Sequence, residues 1–295
     1  RKLASATALL TGEPMTLAYY RHAGLRQWVR QVAAQRPLLA SVVFSSGMAP
    51  YARPLAPRVP MLVDFVDVDS AKWAQYAPAH RWPMSWVYRR EGQRLQAYER
   101  AVAADARRSF FVTPAEVALF TEHAPEALDR VQALGNGVDS VYFQPDAARA
   151  NPFAADEQAI VFTGAMDYWP NVDAVTWFAQ DVLPALRQRW PAARLHVVGR
   201  SPTPAVLALA GPHVHVTGTV PDVRPYLQHA AAVVAPLRVA RGIQNKILEA
   251  MAMEQPVVTV SGCADVIGAD ETRGLLRADD PASMVTAIGG LLDDR

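Results

Sequence analysis

The chain has 295 residues, a length that suits two domains at ~100–200 residues each. Hydrophobic residues make up 51% and charged residues 19%, which excludes a chain disordered along most of its length. Lys+Arg 29 nearly cancels Asp+Glu 28, for a net charge of +1, and excludes nucleic-acid binding through bulk charge. Cys263 is the single cysteine, so a disulfide framework and a cysteine zinc site are ruled out and a reducing, cytoplasmic setting fits. No apolar run approaches the ~18 residues of a membrane span. The opening Arg1-Lys2-Leu3 does not read as a signal peptide. It also lacks an initial Met, which predicts a piece of a longer protein. Lysine occurs only at Lys2, Lys72 and Lys246, so each lysine is informative.

In chain order, short β-branched runs alternate with helical patterns, the signature of βαβ units and parallel sheets. The first half offers strands at Ser41–Phe44, Met61–Val66, Ser109–Val112 and Val131–Leu134. A long amphipathic helix is predicted over Trp82–Ala106. The stretch from Val138 to Asp156, with Pro145, Asn151 and Pro152, has no periodicity and reads as the domain boundary. Domains are therefore expected at 1–140 and 141–295. The second half offers strands at Ile160–Thr163, Leu195–Val198, Val214–Thr217, Ala232–Ala235 and Val257–Val260. Helices are expected between them at Val172–Arg189, Pro204–Leu209, Val223–His229 and Ile243–Met253, and a last one at Pro281–Leu292. This is a nearly complete doubly wound domain. The first half lacks an opening strand, and truncation is predicted at both ends.

Several nucleotide motifs are missing: neither G-x-G-x-x-G nor G-x-x-x-x-G-K-[ST] occurs. The informative segment runs from Pro236 to Ala252. It leaves a strand, turns at Gly242 and enters a helix. In open α/β sheets, ligands bind at strand carboxyl ends, where helix N-termini favour phosphate. Arg238, Arg241 and Lys246 add cations at the same place. Glu249, three residues after Lys246, shares its helix face and could accept two hydrogen bonds from a ribose diol. The competing reading makes Lys246 and Glu249 an ordinary surface pair contributing only ~0.2–0.5 kcal/mol.

Asn245-Lys246-Ile247-Leu248-Glu249-Ala250-Met251-Ala252, followed by Gln255-Pro256-Val257-Val258, resembles the donor-site helix of retaining GT-B glycosyltransferases. Asn136-Gly137-Val138-Asp139 with Phe143 and Pro145 resembles their interdomain signature, and Gly218-Thr219-Val220-Pro221-Asp222 their G-x-V-x-D turn. Two further segments, Val63 to Trp73 and Phe162 to Asp173, resemble the sugar transferases associated with PEP-CTERM/exosortase systems. The resemblance implies an α/β GT-B fold: two Rossmann-like, doubly wound domains facing a cleft. It implies transfer of a sugar from a UDP- or GDP-sugar to a growing, lipid-linked exopolysaccharide, with no cofactor and no metal. The setting implied is cytoplasmic, peripheral on the inner face of the cell membrane. A non-catalytic nucleotide-sugar-binding protein and a GT-B nucleotide-sugar epimerase are the alternatives.

Carried over, the family's roles put Glu249 on the donor ribose and Lys246 with Arg238 on the diphosphate. Asn136, Gly137, Arg200, Arg241, Gly242, Ile243, Gln244 and Asn245 complete the donor site. Two departures stand out. The family's E-x₇-E motif has its first Glu at the position of Arg241. The phosphate-binding Arg…Lys pair after the Ile160–Thr163 strand is replaced by Ala165-Met166 and then Asn171.

Asp67-Val68-Asp69 is a D-x-D that could bind a divalent metal by hard-oxygen preference. Alternatively, Asp67 and Asp69 lie on the acceptor side, or Asp69 or Ser70 caps a helix. The seven histidines are scattered and form no constellation, and Cys263 reads as a packed small residue. Trp82, Trp86, Tyr88, Arg89, Arg90 and Arg94 suit a membrane interface. Their competing reading is a solvated helix packing Trp86 on the sheet.

Overall fold

A computed structural model describes residues 8–9, 11–239, 242–268 and 274–294. The chain divides into two compact units between Gly135 and Asn136. That break precedes the expected one after residue 140, so the Asn136-Gly137-Val138-Asp139 segment belongs to the second unit. The segment lacks regular secondary structure but is tied to the second unit by side-chain bonds, a link that a periodicity argument cannot see.

The first unit is a parallel sheet of β1 (Ser41–Phe44), β2 (Met61–Val66), β3 (Arg108–Phe111) and β4 (Val131–Ala133), in that spatial order. Met61, Val63 and Phe65 are buried while Leu62, Asp64 and Val66 are partly exposed, the period-2 pattern of a strand with one covered face. Phe65 and Phe111 stack at 5.0 Å and meet Phe120 of the Pro114–His123 helix. The long helix runs from Met84 to Asp105. It buries Leu95 and Val102, and also Glu91 and Glu99. Both carboxyls have partners: Glu91 accepts from the backbone of Met15 and Thr16, and Glu99 from Ser70. Trp86 is 48% exposed, so it is not packed on the sheet.

The second unit is a parallel sheet of six strands: β5 (Gln158–Thr163), β6 (Ala193–Val198), β7 (Val214–Gly218), β8 (Ala232–Ala235), β9 (Val257–Thr259) and β10 (Leu275–Arg277). Their spatial order is β10-β9-β8-β5-β6-β7. The short β10, three residues long, is the strand that pattern reading misses. From β5 the chain winds outward through β6 and β7, then returns to β8 on the other side of β5. The switch point therefore lies between β5 and β8, where Ile160 pairs with Ala232. Residues on both sides of β5 and β8 are buried, as in a sheet covered on both faces.

The helix expected over 172–189 is three pieces: Trp169–Trp177, a π turn at Phe178–Val182 and Leu183–Arg189. Pro184 explains the break. It has no N–H to donate, its ring crowds the carbonyl four residues back, and a widened turn relieves both. Helix Asn245–Ala252 begins two residues later than expected, after Gly242 turns the chain at φ +68°. That left-handed geometry is readily available only to glycine.

Candidate functional site

A cavity of about 580 Å³ lies in the second unit, at the carboxyl ends of β5 and β6. Its walls come from the segments after β5, β6 and β7, from Asn136, and from the first turn of helix Asn245–Ala252. Lys246 and Glu249 both line it, together with Arg200, Ile243 and Asn245. Asn136 donates to Asn245 Oδ1 at 3.0 Å, so the segment that opens the second unit is fastened to the start of this helix.

Lys246 sits against β5. Its Nζ lies 4.0 Å from the centroid of the Phe162 ring and donates to Asn171 Oδ1 at 2.7 Å. Gly164 makes room for it, since a Cβ there would stand 3.0 Å from that Nζ. Burial pulls the Lys246 ammonium down to about 7, against weaker opposing pulls from Cys263 and Glu249. Burial also raises the Glu249 carboxyl, and Lys246 opposes that rise. A cation held this way has little water of its own and gains strongly from an arriving anion. Thr163 Oγ1, on the same wall, is buried without a hydrogen-bond partner among the described residues. A buried hydroxyl left unpaired is costly unless a ligand or water satisfies it.

Close backbone packing shapes the cavity. A Cβ on Gly199 would stand 1.7 Å from the Gly164 carbonyl oxygen, so only glycine lets the ends of β5 and β6 meet. Arg200 follows on the rim as an exposed side chain.

The remaining expected residues fall elsewhere. Arg238 does not join Lys246. Its guanidinium pairs with Asp173, at 2.6 Å from Oδ1, and lies over Trp177 at 5.4 Å. It borders a separate hollow with Leu237, Cys263 and Asp279. The physical reason is a nearer carboxylate on helix Trp169–Trp177, which captures the guanidinium. Gly137, Gly242 and Gln244 are not on the cavity wall, although Gly242 makes the turn that starts the helix. Arg241 lies outside the described residues. Asn171, read from sequence only as a missing cation, is instead the partner of Lys246. The signal lay in the departure itself, because two segments that abandon a shared pattern can complement one another.

Asp67 and Asp69 belong to the first unit. Both are ion-paired to Lys72, at 2.7 and 3.2 Å. Burial draws the Lys72 ammonium down, but the two carboxylates override it and the net shift is upward. Lys72 thus supplies the positive charge that a metal would bring. Among the described residues there is no group of three or more His, Cys, Asp or Glu side chains that could hold a metal ion. Asp69 also lines a second cavity of about 420 Å³, confined to the first unit, with Tyr19, Tyr20 and Trp73.

The α/β architecture of parallel sheets is the GT-B fold of known glycosyltransferase structures. Residues 157–294, just under half of the chain, match the profile of the family described as Glycosyl transferases group 1. Sucrose-phosphate synthase from Thermosynechococcus elongatus is similar at TM-score 0.70 and 18% identity, covering 92% of this chain and 69% of that one. HepE from Anabaena, crystallised with UDP, is similar at TM-score 0.67 and 14% identity, covering 92% and 72%. The trehalose-phosphate synthase (UDP-forming) from Burkholderia vietnamiensis gives 0.66 and 13%, covering 94% and 71%. Comparison with curated protein sequences gives no match.

Proposed function

We propose that the protein is a glycosyltransferase that moves a sugar from a UDP- or GDP-sugar to a saccharide acceptor, with the donor held in the second unit's cavity. The observation that carries this reading is a half-buried ammonium on the same cavity wall as a carboxylate three residues on, at the switch point of a parallel sheet. Lys246 would receive the diphosphate and Glu249 the ribose diol. Both groups gain from such a ligand: the ammonium recovers a counter-charge, and the carboxylate recovers hydrogen-bond donors lost on burial. Because charge accumulates on the departing diphosphate, a fixed cation there favours the transition state over the ground state. Arg200 on the rim adds a second cation within reach of the nucleotide. The UDP bound in the HepE crystal structure supports the nucleotide class.

In this reading transfer is retaining and metal-independent. The acceptor attacks from the face the diphosphate leaves, and the leaving phosphate takes its proton, so no protein base is required. The acceptor is a lipid-linked exopolysaccharide intermediate of the kind handled by PEP-CTERM/exosortase-associated enzymes. The first unit's cavity supports a sugar acceptor, because Trp73, Tyr19 and Tyr20 offer ring faces and Asp69 a carboxylate. Peripheral binding at the cytoplasmic face of the membrane is supported by exposed Trp82, Met84 and Trp86 beside Arg81 and Arg89, since Trp and Arg suit the lipid headgroup zone. Among the described residues no helix is long and apolar enough to cross a membrane.

The test is a mass-spectrometric transfer assay, run in EDTA, over a panel of UDP- and GDP-sugars with polyprenyl-diphosphate-linked saccharides. The reading expects one donor to be consumed with transfer to acceptor and retention at the anomeric carbon, and Glu249→Ala to reduce the rate at least 100-fold. Donor conversion without acceptor would favour an epimerase. Nucleotide binding without transfer would favour a binding protein.

A further inference from the structure

The cation in the second unit's cavity is held by a neutral amide. Asn171, in the first turn of helix Trp169–Trp177, is only 5% exposed, and both ends of its side chain are engaged. Nδ2 donates to the Ala165 carbonyl at 2.9 Å, and Oδ1 accepts from Lys246 Nζ at 2.7 Å. The orientation is forced, because an ammonium only donates and must face the amide oxygen. Gly164 keeps the space open, since a Cβ there would stand 2.8 Å from Asn171 Nδ2. The charged or titratable groups facing Lys246 are Glu249 on its own helix and Cys263 on the Ser261–Ile267 helix, with Arg200 on the rim of the same cavity. Among the described residues Lys246 makes no ion pair, in contrast to Lys72, which holds two carboxylates, and Arg238, which holds one.

We propose that Asn171 is a positioning residue: it fixes the Lys246 ammonium toward an incoming diphosphate without neutralising it. This rests on the nucleotide-sugar reading above. A carboxylate in the same place would hold the ammonium as firmly but would cancel its charge, and the diphosphate would then have to compete with it. An aliphatic side chain would leave the charge whole but unaimed. The amide gives direction and leaves the charge for the ligand. The segment after β5 carries no cation of its own, so it contributes to the site through the lysine of another helix.

The scarcity of lysine makes the test direct. In protein labelled with ¹³C-lysine, only three Cε resonances are expected, from Lys2, Lys72 and Lys246, and Lys246→Met assigns one of them. Titration should give Lys246 a midpoint near neutrality. Asn171→Asp should raise that midpoint by at least about one pH unit and weaken binding of both inorganic pyrophosphate and UDP. Asn171→Ala should weaken pyrophosphate about tenfold, the loss of one charge-assisted hydrogen bond, while folding as wild type by circular dichroism. An unmoved midpoint in Asn171→Asp, or wild-type affinity in Asn171→Ala, would overturn the proposal. A Lys246 resonance that does not respond to pyrophosphate would overturn it too, whatever UDP does. Response to pyrophosphate but not to UDP or GDP would keep the positioning role and sink the nucleotide-sugar reading.

Discussion

Replacing Lys246 by methionine should make the protein more stable and unable to hold its donor. Methionine keeps most of the lysine's volume and apolar stem but brings no charge to desolvate. The Lys246 ammonium titrates at about 7, against 10.5 for the free side chain. At 1.36 kcal/mol per pH unit, that gap sets an upper bound of about 5 kcal/mol on the cost of burying it charged. Lys246 is only half-buried, and its replacement leaves the buried Asn171 Oδ1 without its donor, so about half of that, roughly 2–3 kcal/mol, is the working figure. The sign follows from a folded-state value below the unfolded one. Under pH 7 both states hold the proton, and the folded state bears the full cost. Between pH 7 and 10.5 the folded protein gives up its proton first and the cost shrinks. Above 10.5 it is gone. Urea denaturation of wild type and Lys246→Met at pH 6, 8 and 10 should show the variant ahead by roughly 2–3 kcal/mol at pH 6 and by less than about 1 kcal/mol at pH 10. A variant less stable than wild type at pH 6, or an advantage independent of pH, would refute the reasoning.

Further expectations follow from the same geometry. Glu99 is 1% exposed, and burial pushes its carboxyl up to about 8, against the opposing pull of the Ser70 hydroxyl. The folded protein then keeps a proton that the unfolded chain loses above pH 4.5, and stability from this group falls as pH rises from 4.5 to 8. Glu99→Gln should match wild type near pH 4.5 and exceed it by about 1–3 kcal/mol at pH 8.5 in urea melts. Arg238→Ala should leave UDP affinity within about twofold in calorimetry, because its guanidinium is committed to Asp173, and an exposed pair of this kind contributes ~1 kcal/mol or less to stability. Gly199→Ala should lower the melting temperature sharply or yield insoluble protein, since its Cβ would overlap the Gly164 carbonyl and backbone has no rotamer by which to yield.

Much of this architecture is legible from pattern alone. The strands Ser41–Phe44, Met61–Val66 and Ala232–Ala235 fall at the bounds the β-branched runs predict, because short apolar, β-branched runs between turn residues favour the extended chain whether one face is covered or both. That Lys246 and Glu249 look into the same space is legible too, since positions three apart on a helix share a face, and both line the one cavity. Other features depend on distant partners and leave no local trace. Whether Arg238 points into the cavity is decided by Asp173, distant in sequence. The role of Asn171 requires knowing that β5 and helix Asn245–Ala252 converge. Strand β10 is too short to show a period, and its place is set by pairing with β9. Glu91 and Glu99 share the helix face of Leu95 and Val102, where the pattern alone does not show what would partner a carboxyl. They are buried because Met15, Thr16 and Ser70 return to bond them.

The second unit's cavity should take a nucleoside diphosphate through Lys246. That binding is tested most directly by calorimetric titration of UDP and GDP in EDTA, with wild type and Lys246→Met side by side. The account predicts saturable one-to-one binding of one of the two nucleotides by wild type, and at least a 100-fold loss in the variant. Equal affinity in the two proteins, or no binding of either nucleotide by folded wild type, would contradict it.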